Sequence, residues 1–301
     1  MKEHKPSRTA LSVAANLLML SYDPTFGPLV SQTAIEPTRW CLRSLPGLSG
    51  RMTALFEYPW MRAYMRRIEQ SIVPGVSIHT AVRKRWIEEQ VSHEINHGCT
   101  QVIVLGAGFD TLAYRLHDQF RNVRWWEIDH PATHQVKRQA LTTHGNLQPN
   151  LTLIPVDFTQ KSLTNVLATT PLYDPQARTI FIAEGLLMYL EESDVRTLLH
   201  TIHTSSGPNS TIVGSILAPK PDGRLGVQKA SWFVDLGLKL AGEPFKWGVA
   251  PDDLPVFMND NAFENVKAAR TSVVVHSYLA VPSHVTLYEG EYLFLARRKN
   301  A

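Results

Sequence analysis

Two glycines two residues apart stand in Val104-Leu105-Gly106-Ala107-Gly108-Phe109-Asp110-Thr111, between a run of apolar residues and a helical pattern. A G-x-G turn at such a junction lets the backbone approach a ligand and aims free amides at it. Gly106, Ala107, Gly108 and Asp110 are therefore candidate ligand contacts, against the plainer possibility of a tight strand-to-helix turn. Acids follow at the ends of the next apolar runs. Glu127 and Asp129 come about twenty residues after the glycines, where a carboxylate can accept both hydroxyls of a ribose. Asp157 and Phe158 end the third run, where an acid can take an adenine amino group while an aromatic ring covers the base; Glu184 and Gly185 end the fourth. One acid at a strand end usually caps the following helix, but a series over consecutive strand ends points to a ligand on that edge.

Three ligand classes compete for the glycine turn. A dinucleotide site calls for a third small residue where Thr111 stands, and a phosphate-binding P-loop calls for a lysine that is absent. S-adenosylmethionine carries no phosphates, and its sites use a similar loop beneath the ribose and the methionine portion.

These residues need a sheet to bring them together. The strands expected are Gln101 to Gly108, Val123 to Asp129, Leu151 to Phe158, Ala177 to Gly185 and Ser210 to Leu217, with helical stretches between them. Such alternation predicts a parallel sheet with helices on both faces. From Ser7 to His97 only helical patterns occur, separated by Pro/Gly-rich joints, so residues 1–97 are expected to form a helical cap and 98–301 the sheet-bearing core. The alternation lapses over about 218–258, which reads as a helical lid insertion carrying Trp232, Phe233 and Trp247. Thr271 to Leu279 and Val285 to Arg298 are expected to supply two further strands as an antiparallel edge.

Composition narrows the partners. Thirty Lys+Arg against 27 Asp+Glu leave a net charge of +3, a small imbalance that gives no argument for nucleic acid, and none is expected as a partner. The imbalance is local, because residues 1–95 hold 12 basic and 8 acidic side chains. Cys41 and Cys99 lack metal-ligand or disulfide spacing, so no metal is expected and a reducing, cytoplasmic setting fits. Ser12 and Asn16 interrupt the first apolar run and no small-residue cleavage site follows, which reads as an amphipathic helix rather than a signal peptide. No apolar stretch is long enough to span a bilayer.

The combination of SRTALSVAANLLMLSYDP, RKRWIEEQ, QVIVLGAGFDTLAYRL, EIDHP, VDF and AEGLLMYL, spanning Ser7 to Leu190, resembles the leucine carboxyl methyltransferase family. That family comprises S-adenosylmethionine-dependent O-methyltransferases, among them bacterial polyketide carboxyl methyltransferases of secondary metabolism. The resemblance implies a class I, Rossmann-like fold with a mostly parallel seven-stranded sheet, and S-adenosylmethionine as cofactor with S-adenosylhomocysteine as product. It implies that Arg83 binds the cofactor carboxylate and Glu184 the ammonium, with Arg8 approaching from the N-terminal segment. Many methyltransferases keep an acid two residues before the first glycine for that ammonium, and here the position is Val104. Lys84 and Arg85 are read as a solvated helix face.

Methyl transfer from a sulfonium is an in-line displacement, so the protein mainly aligns two reactants and excludes water. A carboxylate acceptor is already ionised near neutral pH and needs no base. A phenol or enol acceptor would use one, and Tyr22, Tyr114, His130 and Tyr189 are candidates, each also explicable as a packing residue. The acceptor is expected to be a small molecule, held by the lid aromatics Trp232, Phe233 and Trp247. The alternatives are a protein C-terminal carboxyl group as acceptor, or a nicotinamide cofactor on a similar sheet.

Overall fold

β-branched apolar runs alternating with amphipathic stretches bury their apolar faces by stacking a sheet between helical layers. The computed structural model describes residues 6–220, 222–226 and 243–300. Among these, seven strands form one sheet: β1 (Gln101–Leu105), β2 (Arg124–Asp129), β3 (Leu151–Pro155), β4 (Thr179–Ala183), β5 (Thr211–Leu217), β6 (Phe263–Arg270) and β7 (Glu291–Arg298). Their order is β3-β2-β1-β4-β5-β7-β6. The first five are parallel to their neighbours, whereas β7 inserts antiparallel between β5 and β6, so the sheet is mixed.

Helices α1 (Arg8–Leu20), α2 (Gln32–Arg43), α3 (Leu48–Thr53), α4 (Pro59–Ile72) and α5 (Val76–Asn96) precede the sheet. Helices α6 (Leu112–Leu116), α7 (Pro131–His144), α8 (Leu163–Thr169) and α9 (Glu192–Thr204) alternate with the strands, and α10 (Leu254–Asp260) and α11 (Thr271–Val274) follow β5. The period of two along each strand divides the core. Ile103, Trp126, Phe181 and Ile212 pack with Leu167 of α8, Leu199 of α9 and Phe257 of α10. Val102, Trp125, Ile180 and Val213 pack with Ile87 and Val91 of α5 and Leu112 of α6 on the other face. Helix α5 thus lies directly on the sheet, and α1 packs with it through Leu17 and Val82 while its Ala14 and Leu18 pack with Leu42 of α2 and Val136 of α7.

One expectation changes. Thr271 to Leu279 is helical rather than extended: α11 and a 3-10 turn, Val275–Ser277, occupy it, with Val275 buried against α5. The edge strand is Phe263–Arg270, a largely exposed segment with a bulge between Glu264 and Lys267, where Asn265 takes φ of 52°. A bulge breaks the period of two and a polar edge hides the rest of the pattern. Of the expected lid, residues 243–250 are irregular and a helix begins at Leu254, while 227–242, with Trp232 and Phe233, lie outside the described residues. No described helix is long and apolar enough to cross a membrane.

Candidate active site

The strand order reverses between β1 and β4, and open α/β sheets bind ligands beyond the carboxyl ends of the strands at such a point. The glycine turn leaves β1 there and Glu184-Gly185 leaves β4. Gly106 and Gly108 take φ of +63° and +53°, where a side chain is strained. A Cβ on Gly106 would lie 3.1 Å from Leu186 Cδ1, and one on Gly108 3.0 Å from Ala10 Cβ. The first turn of α1 therefore lies directly on the loop. Ser7 N–H donates to Thr133 Oγ1 of α7 at 3.1 Å, and Thr9 donates to Glu243, which ties that turn to both α7 and the segment after β5.

Helix α5 projects three side chains of one face into the switch point. Arg83 donates from Nε to Glu184 Oε1 at 3.0 Å and from Nη1 to both oxygens of Glu291 at 2.8 and 3.0 Å. Its Nη2 is turned toward Gly185, 3.8 Å from where a Cβ there would stand, and has no hydrogen-bond partner among the described residues. Lys84 Nζ lies 2.8 Å from Asp110 Oδ1 and 3.1 Å from Glu184 Oε1. His79 contacts Glu291 through Nε2 at 2.8 Å and Thr271 through Nδ1 at 2.7 Å. All five charged side chains are buried or nearly so. Burial alone would raise the Glu291 carboxyl, but Arg83 and His79 hold it well below the usual carboxylate range. Burial would likewise lower Arg83, and Glu291 and Glu184 keep it charged. Three carboxylates against Arg83 and Lys84 leave one negative charge in excess, with His79 counted neutral.

The two acids of β2 are two residues apart and share a face of the strand, but Glu127 lies within it whereas Asp129 ends it, so their surroundings differ. Glu127 is buried, with Oε2 2.6 Å from Lys137 Nζ of α7. Burial raises its carboxyl above the usual range, with Lys137 opposing. Asp129 reaches the cleft and accepts from Gly108 N–H at 2.8 Å and His130 N–H at 2.7 Å, which fixes the glycine turn and leaves lone pairs on both oxygens. Asp157 accepts from Thr159 N–H at 2.9 Å just beyond β3, and the neighbouring Phe158 ring is 41% exposed.

The remaining candidates disperse. Tyr189 is half-buried in a 3-10 turn after β4, stacked on Phe245 with centroids 5.6 Å apart, close enough to Glu291 and Arg83 to feel their charges; desolvation pushes its phenol up. His130 caps α7, accepting from Ala132 N–H at 3.3 Å. Tyr114 accepts from Asn146 N–H at 3.2 Å and packs on Trp40, away from the strand ends. Tyr22 follows α1, whose opposite end meets the glycine loop, so it lies roughly 18 Å from Gly108 at 1.5 Å per residue. It accepts from Arg39 at 2.9 Å and stacks under Arg62. Trp247, expected in an acceptor chamber, is 5% exposed and packed on Phe257 in the core. Arg8 is exposed between Ser7 and Thr9, the two residues that pin α1 to the rim.

Lys84 departs from the solvated face assigned to it, while Arg85 conforms, pairing with Glu89 at the surface. Glu291, His79 and Lys137 were missed. A signal existed for two of them: Glu127 falls inside a buried strand and so requires a counter-ion, and Glu291 opens the apolar run Tyr292 to Ala296.

The model of the family described as leucine carboxyl methyltransferase matches residues 9–203, which include the glycine turn, both α5 cations and Glu184. The chain belongs to the leucine carboxyl methyltransferase family. A relative from Mycobacteroides abscessus, named "Putative S-adenosyl-L-methionine-dependent methyltransferase", is 34% identical over 166 residues, 54% of this chain and 52% of the relative. A relative of the same name from Mycolicibacterium vanbaalenii is 32% identical over 204 residues, 68% of this chain and 64% of the relative. The chain thus spans about half to two thirds of these curated relatives. A crystal structure from Thermobifida fusca, titled as a putative methyltransferase, superposes with a TM-score of 0.57 at 15% identity, covering 87% of this chain and 94% of that one. That likeness shows the fold.

Proposed function

We propose that this protein transfers the methyl group of S-adenosylmethionine to an oxygen of a small molecule, a carboxylate in the first instance. The observation that carries the reading is the buried Arg83–Glu184 pair set against Gly185 at the switch point, in a chain of this family. Arg83 Nη2 offers N–H donors to a carboxylate beside Gly185, and a guanidinium suits that partner. Glu184 accepts an ammonium at its remaining lone pairs. The single excess negative charge of the cluster complements a zwitterion that also bears a sulfonium. Asp129, rather than Glu127, takes the ribose hydroxyls, and Asp157 with the exposed Phe158 takes the adenine.

The cofactor, when bound, supplies an electrophilic methyl group. The first turn of α1, pinned by Ser7 and Thr9, closes the rim and excludes water, which strengthens every charge interaction beneath it. Tyr189 lies close enough to Arg83 and Glu291 to feel their charges; its raised phenol stays protonated near neutrality and serves as a hydrogen-bond donor to an acceptor oxygen. An ionised carboxylate needs no proton removed, so alignment alone suffices. Incubation with methyl-labelled S-adenosylmethionine and a panel of small carboxylic acids should give base-labile labelled esters. Label that resists mild base would assign the methyl group to another atom, and label found only on added protein C-termini would overturn the small-molecule reading.

A further inference from the structure

Three donors without partners meet at a cavity on the same carboxyl edge, one strand beyond Arg83. The cavity holds about 150 Å³ between the ends of β5, β6 and β7, lined by Arg270, Ser272, Tyr288 and Glu291 among others. A single water needs roughly 10–15 Å³, so there is room for a ligand head group. Tyr288 is 7% exposed, its ring packs on His79 at 4.5 Å, and its hydroxyl has no hydrogen-bond partner among the described residues. The ring is held in place while the hydroxyl is left free to donate to a group in the cavity it lines. Arg270 ends β6 with its side chain exposed, and neither it nor the Ser272 hydroxyl has a partner among the described residues.

The acids of the lining do not satisfy these donors. Glu291 is committed to Arg83 and His79, and Glu289 at the rim has a partner of its own. Free donors from a guanidinium and two hydroxyls, with the nearest carboxylates already engaged, fit an oxyanion rather than a cation or a neutral donor. Glu291 is the common wall, because one side of its strand end holds Arg83 while it also lines the cavity.

We propose that this cavity anchors an anionic group of the methyl acceptor, which therefore carries a carboxylate or a phosphate in addition to the oxygen that is methylated. Tyr288 and Arg270 hold that group, and Ser272 adds a third hydrogen bond. The inference rests on the methyl-transfer reading for the word acceptor, while the anion site itself can be tested without it.

Calorimetric titration of the full chain with glutarate and with inorganic phosphate, each with and without S-adenosylhomocysteine, tests it. Saturable binding of glutarate with weaker phosphate binding supports a carboxylate anchor; the reverse order supports a phosphate anchor. Arg270→Gln and Tyr288→Phe should each weaken the preferred anion about tenfold, the worth of one charge-assisted or buried hydrogen bond, with S-adenosylhomocysteine affinity unchanged. Tyr288→Phe keeps the ring on His79, and Arg270→Gln alters an exposed side chain, so both variants should fold. No saturable anion binding by the wild type at millimolar concentration, or variants that bind as the wild type does, overturns the proposal. Failure of S-adenosylhomocysteine alone to bind would instead strike the methyl-transfer reading and leave the anion titrations to be read on the free chain.

Discussion

Replacing Lys137 by methionine keeps the length of the stem and removes only the ammonium, leaving Glu127 buried and alone. The two charges lie 2.6 Å apart with side chains 3% and 4% exposed. At an effective dielectric of about 20, unit charges at that separation attract by roughly 6 kcal/mol, and the desolvation of both ions cancels much of it. Breaking a buried pair from one side nonetheless costs about 3–5 kcal/mol, because the survivor remains charged in a dry site. The variant is therefore expected to lose about 3 kcal/mol or more in urea denaturation near pH 7. The loss should shrink in acid. Burial already raises the Glu127 carboxyl, with Lys137 opposing, and without the ammonium it climbs further. A carboxyl raised in the folded state binds protons that the unfolded chain has released, so the variant gains stability as pH falls from neutrality toward the ordinary glutamate value of 4.5. Adding Glu127→Gln removes both charges and should restore stability to within about 1–2 kcal/mol of the wild type. A single variant that loses less than about 1 kcal/mol, or loses the same amount at pH 5 and pH 7, would refute the reasoning. A folded double variant unable to bind S-adenosylhomocysteine would return Glu127 to the binding site.

Arg83→Ala should weaken S-adenosylhomocysteine by about 1.5–3 kcal/mol in calorimetry, and Arg83→Lys should not restore it, since one ammonium cannot serve Glu184, Glu291 and a ligand at once. Gly106→Ala should destabilise the fold by about 1–3 kcal/mol in urea, from the positive φ and the 3.1 Å approach of Leu186. Glu291 is held below the usual range, so the unfolded chain binds its proton first: stability present above the ordinary value of 4.5 is lost as pH falls, and Glu291→Gln should flatten that part of the acid-unfolding curve. Burial pushes the Cys41 thiol up to about 12 and the Cys99 thiol to about 11, so a thiol reagent at pH 8 should label neither cysteine until denaturant is added.

The sheet was legible because its strands are buried on both faces and punctuated by glycine and acid, as in Val102 to Gly108 and Thr179 to Gly185. The polar edge strand Phe263–Arg270 was not, since its bulge and exposure leave little period to detect. Arg83 and Glu184 were legible through the family resemblance, which also implied their pairing with one ligand. Glu291 lies 208 residues from Arg83 along the chain, and nothing local marks a contact of that separation. Lys84 was misjudged because a helix face looks solvated in sequence whenever the acids that cover it, here Asp110 and Glu184, come from other elements. Trp247 shows the converse, an aromatic in a presumed lid that belongs to the core.

In the proposed function the switch point between β1 and β4 binds S-adenosylmethionine through Arg83. Titration of the full chain with S-adenosylhomocysteine, run in parallel with Arg83→Ala and with NADH as control ligand, tests it most directly. One saturable site is expected in the wild type, markedly weakened in the variant, with no binding of NADH. Absence of S-adenosylhomocysteine binding by a folded wild type, or equal binding by wild type and Arg83→Ala, would contradict it.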